Sequence, residues 1–121
     1  MAAGEVLRVP VLDRVGVPDS DVVGVALNVT AVGPVGPGFL RVWPCGSPEP
    51  GTSSVNFVAA GAIEPNAVLV PVDVSGEVCV SSLVESDVIV DVTAWFDDGL
   101  RASPGERVVD TRYGIGPIPP R

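Results

Sequence analysis

The chain has 121 residues, enough for one hydrophobic core, and fifteen acids against seven arginines give it a net charge of −8. It has no lysine, histidine or glutamine. That excludes Ser-His-Asp and Cys-His catalysis, HExxH zinc sites, lysine Schiff bases and lysine-bearing phosphate loops. The acidic balance lacks the basic footprint of a nucleic-acid binder, and 46% hydrophobic residues set the chain apart from a disordered polar segment.

Valine, the commonest residue, has a branched Cβ that suits a pleated, half-buried surface. Prolines and glycines are scattered throughout, leaving almost no window for a helix. In chain order, the pattern predicts a short strand over residues 6–11. A longer one over 22–32 carries Val23, Val25, Leu27, Val29 and Ala31 on one face and Gly24, Ala26, Asn28 and Thr30 on the other. Short strands follow over 39–43 and 54–59. Val68, Val70, Val72 and Val74 share the face of a fifth, Val78 and Val80 that of a sixth. Val88, Val90 and Val92 line a seventh, opposite Asp87, Ile89, Asp91 and Thr93. An eighth is expected over residues 107–110.

Turn signals separate these runs: Gly33-Pro34 to Gly38, Gly46 to Gly51, Glu64-Pro65-Asn66 and Ser75-Gly76. About eight short strands at this spacing predict an all-β, antiparallel β-sandwich of Greek-key or jelly-roll kind. Residues 1–121 read as a single unit, with 113–121 a Gly/Pro-rich extended tail or linker. No apolar run approaches the ~20 residues of a membrane span, so no membrane insertion is expected. Met1-Ala2-Ala3-Gly4-Glu5 has no signal-peptide character, so any secretion signal is expected outside this chain.

Several separated motifs resemble a known repeat: Leu27-Asn28-Val29-Thr30-Ala31-Val32, Trp43-Pro44-Cys45-Gly46, Ser54-Val55-Asn56-Phe57, Pro65-Asn66, Gly76-Glu77-Val78-Cys79-Val80, Asp87 to Val92 with Trp95-Phe96, and Val109-Asp110-Thr111-Arg112. Together they are similar to a tandem module of large secreted or cell-surface actinobacterial proteins. The resemblance implies an extracellular, cell-surface location and neighbouring repeat units, or another surface protein, as partners. In that family the Asp-Thr-Arg segment opens a unit, whereas here it closes one. Joining Arg121 to Met1 restores the family order, as expected of one repeat period cut at a different point.

With that compartment, Cys45 and Cys79 are expected to form a disulfide; on the residues alone, two buried reduced thiols remain the alternative. Asp110, Thr111 and Arg112 read more readily as a structural or inter-repeat motif, an arginine pinning a loop, than as a ligand clamp. A candidate ligand surface comprises Trp43, Trp95, Tyr113, Asn28, Asn56 and Asn66, since aromatic rings and amides suit a glycan. The asparagines also suit backbone groups at turns and bulges. Asp97-Asp98-Gly99 is a weak calcium candidate without the D-x-D-x-D-G run such loops need, so no metal site is assigned. Six glutamates scattered over turns give no paired-carboxylate cleft. The expectation is a non-catalytic structural or adhesive module, without cofactor, with a carbohydrate-binding module as the alternative.

Overall fold

The computed structural model describes residues 1–14, 16–101 and 108–113, the last without the Tyr113 side chain. In it the chain forms β1 (Val6–Pro10), β2 (Gly24–Val32), β3 (Gly38–Pro44), β4 (Val55–Phe57), β5 (Ile63–Pro71), β6 (Glu77–Ser82) and β7 (Asp87–Phe96), then a 3-10 turn over Thr111–Tyr113. Two antiparallel sheets result, ordered β1-β6-β3-β4 and β5-β2-β7. Among the described strands only β3 and β4 form a hairpin within one sheet; the other connections cross from one sheet to the other. The all-β antiparallel sandwich is the fold that the valine alternation predicts.

β2 shows why the alternation works. Val25, Leu27, Val29 and Ala31 are buried to 1% exposure or less, while Ala26, Asn28, Thr30 and Val32 are half-buried on the other face. Facing them across the sandwich are Leu40 and Val42 of β3, Val55 and Phe57 of β4, and Val78 and Val80 of β6. At about 1.5–3 kcal/mol for each fully buried Val, Leu or Phe side chain, this layer is the main stabilising term. Apart from Phe57, aliphatic side chains, mostly valine, fill it, in keeping with a composition poor in aromatics.

Four expectations are corrected. Seven strands form among the described residues, in line with the eight or so expected. β2, however, begins at Gly24, so Val22 and Val23 precede it, and Val23 is 40% exposed and not on the buried face. β5 starts at Ile63, so Glu64-Pro65-Asn66 is part of a strand and not a turn. Proline is tolerated there because β5 lies at the edge of its sheet, where a missing N–H leaves no second ladder broken. The strand ends at Pro71; Val72 lies beyond it, and Val74 projects fully into solvent at the following turn. Residues 58–59 and 108–110 are not in strands. Arg107 and the tail 114–121 lie outside the described residues.

β7 also runs further than its valines suggest, because a bulge resets its phase. Leu27 pairs with Val92 but Ala26 pairs with Ala94, leaving Thr93 as the extra residue. The Thr93 hydroxyl donates to the Ala26 carbonyl at 3.2 Å. Past the bulge the odd position Trp95, opposite the buried Val25, takes the inward side that Val88, Val90 and Val92 hold before it.

The two flanks of the sandwich differ. β4 packs against β5 and closes one. The other is bounded by β1 and β7, each paired on one side only among the described residues. Inward neighbours of buried core residues stay exposed there: Leu7 (40%), opposite Val80; Val92 (37%), opposite Leu27; and Trp95 (38%), opposite Val25. That flank leaves apolar surface in contact with water.

Candidate functional site

On the outer face of the four-stranded sheet, the loop after β3 folds back over β3 and β6. Cys45 and Cys79 form a disulfide, with Cα atoms 5.0 Å apart. The Cys45 amide donates to the Glu77 carbonyl, and Trp43 pairs in register with Cys79. Glu49, further along the loop, accepts a hydrogen bond from the Ser81 hydroxyl at 2.6 Å and lies 3.5 Å from the Arg41 guanidinium. This cover explains why Trp43, Cys79 and Ser81 are buried although alternation turns them away from the core. Alternation by itself gives no sign that an outward face will be covered by a loop.

The start of the loop is braced by a single carboxylate. Asp73 accepts from the Gly46 amide at 2.9 Å and from the amide and hydroxyl of Ser75. A Cβ at position 46 would collide with that carboxylate, so the close approach requires glycine. The Ser75 hydroxyl, opposed by burial and aided by the Ser75 and Gly46 amides, holds the Asp73 carboxyl below its ordinary value of 3.8. Because the folded value is the lower one, this stabilisation is present above the unfolded value and fades as pH falls through the folded one. The Tm difference between wild type and Asp73→Asn should therefore be constant near neutrality and shrink below about pH 4. A difference that persists unchanged into strong acid would show that the brace does not depend on charge.

Beside the loop lies a cleft of about 380 Å³ lined by Phe39, Arg41, Gly51, Thr52 and Ser53. The Arg41 guanidinium sits 4.9 Å from the centre of the Phe39 ring, a cation–π contact. Among the described residues its Nε finds no acceptor although it is buried. The Ser53 hydroxyl donates to Asn56 Oδ1 at 2.9 Å, and Asn66 Nδ2 donates to the Ser54 carbonyl at 2.7 Å. Chemically this is a polar recess with one aromatic face and one guanidinium. Its lining residues carry no sequence signal; of the candidate ligand residues, Asn56 and Asn66 bond the adjoining Ser53 and Ser54.

The other candidates are dispersed. Trp43 is buried at 7% exposure under the loop, with little ring face left for a ligand. Trp95 lies on the far flank, at the inward side of β7. Asn28 is half-buried on the outer face of β2 between Ala67 and Asp91. Asn66 ties the edge strand β5 to the segment before β4, a structural use. The Tyr113 side chain lies outside the described residues. Trp43, Trp95 and the asparagines thus do not form one platform. Among the described residues, no cluster of three ligating side chains forms around Asp97 and Asp98. The Asp110 carboxylate, 7% exposed, accepts from the backbone N–H and the guanidinium of Arg112, with Thr111 opening the turn between them. That pair closes a local turn by charge-assisted hydrogen bonds.

No protein-family model, no curated protein and no solved structure matches the chain.

Proposed function

We propose that this chain is a non-catalytic structural and adhesive module of a secreted or cell-surface protein, acting as spacer and interaction surface beside neighbouring units. The observation that carries the proposal is the disulfide clamping an outer-face loop to β6, a device suited to an oxidising compartment. The acidic surface and the resemblance to tandem surface repeats agree with it. No helix is long and apolar enough to cross a membrane among the described residues. Two tests bear on it. Thiol labelling of protein isolated from its native source should find both cysteines blocked; two labelled cysteines would sink the extracellular assignment. A tandem two-copy chain should unfold at a higher temperature than one copy, because units of a repeat array share stability. Two copies melting just as one does would end the coupled-spacer reading.

A second reading, a carbohydrate-binding module, is favoured by the cleft of Phe39, Arg41, Thr52 and Ser53, where a ring and hydroxyls could meet a sugar. On a glycan array it requires saturable binding that Phe39→Ala and Thr52→Ala weaken while Trp95→Ala does not. An array without signal, or binding indifferent to both cleft variants, rules this cleft out.

A further inference from the structure

The open flank between β1 and β7 leaves inward-facing apolar side chains uncovered. The inward residues Leu7, Val92 and Trp95 lie exposed there beside the half-buried Val9, Val88 and Val90, which pack on the core. β7 is ten residues long and has one ladder partner among the described residues. Such an edge can receive an added strand, with ladder hydrogen bonds supplying affinity and alternate side chains supplying fit.

Charge narrows the choice of occupant. Residues 1–100 hold thirteen of the fifteen acids and three of the seven arginines, a net charge of −10. Residues 101–121 hold the other four arginines and two acids, a net charge of +2. β7 itself carries Asp87 and Asp91 exposed on its outer face. Two β7 edges side by side would bring these like charges together, which disfavours symmetric β7 pairing. The basic C-terminal region has the opposite sign. Within it Val108 (67%) and Val109 (51%) are exposed β-branched neighbours outside both sheets. Alternation would turn one of them toward the inward stripe of β7 and the other outward.

We infer that the β1/β7 flank is a docking groove for the C-terminal segment around Val108–Asp110 of a second copy of this chain, added as a strand alongside β7. The inference rests on the structural-module reading and specifies where one unit would grip the next. In an array of such units, each would complete the open flank of its neighbour.

The test uses the full chain, isotopically labelled, titrated with a synthetic peptide of residues 107–113. Amide shifts should concentrate on β7 from Val88 to Trp95 and on β1, and salt should weaken the binding. Replacing both peptide valines by glutamate should weaken it by at least about tenfold, since charge would enter an apolar groove. This control leaves the folded protein untouched. Val92→Glu in the protein should act likewise, and the full chain should self-associate more weakly once Val108 and Val109 are both changed to glutamate. Shifts confined to β5 or the Phe39 cleft, or no shifts at all, overturn the groove. Protection of β7 independent of concentration, without self-association, would assign the segment to its own flank and overturn the two-copy form. Docking failure combined with a stabilised two-copy chain would leave the module reading standing. Peptide binding combined with independent melting would do the reverse.

Discussion

Leu27→Ala should destabilise the protein by about 2–5 kcal/mol. Leu27 lies in the central strand of its sheet, between Val68 of β5 and Val92 of β7, and is 1% exposed. Walled by ladders on both sides and capped by the opposite sheet, the site has little freedom to collapse around the missing atoms, and the cavity persists. Urea unfolding should show a lower midpoint with an unchanged slope. Ile89→Ala is the matched control: Ile89 pairs with Thr30 on the outer face and is 50% exposed, so its loss should cost well under half as much. Equal costs at the two positions would mean that the inward face of β2 is not the core.

Changing Cys45 and Cys79 together to alanine should cost about 3–4 kcal/mol by the chain-entropy relation for a loop of this length. The sequence separation of 34 fixes how much freedom the unfolded chain regains. The native side adds a local loss, since the bridge anchors the loop whose Glu49 receives the Ser81 hydroxyl. Hydrogen exchange should therefore rise first in residues 45–54 and along the outer face of β6, with β2 still protected. Reduction of the wild type should reproduce the double variant. A reduced protein as stable as the oxidised one would show that the bridge is incidental to the fold.

How far the sequence discloses this structure depends on what each residue meets. From Gly24 to Val32 β2 is legible because each of its faces has one environment along that length, whereas Val23 just before it is exposed. β5 is misplaced because local turn chemistry at Pro65-Asn66 is overridden by position: at a sheet edge, proline breaks no second ladder. In β7 the three valines mark the strand, but the bulge at Thr93 hides the role of Trp95, and neither residue type signals it. The disulfide rests on compartment as much as on spacing. Val108 and Val109 show the limit of propensity, since strand-forming residues outside any sheet have no ladder to join. The Phe39 cleft was illegible because its walls come from β3 and from a loop whose path depends on contacts distant in sequence, such as Glu49 with Ser81.

The sheet order also dictates the pace at which this molecule can assemble. β1 precedes the other described strands, and its ladder partner among the described residues is β6, with Val6 meeting Ser81. β2 likewise waits for β5 and β7, and only the β3–β4 hairpin is local. Chains dominated by such distant pairings close large loops before any contact rewards them, and fold in milliseconds to seconds rather than microseconds. During synthesis β1 and β2 therefore emerge before the strands of this chain that pair with them, and Cys45 appears well before Cys79. A nascent chain in that state presents the sticky edges that chaperones hold, so the interval between the two cysteines is a window of vulnerability fixed by topology.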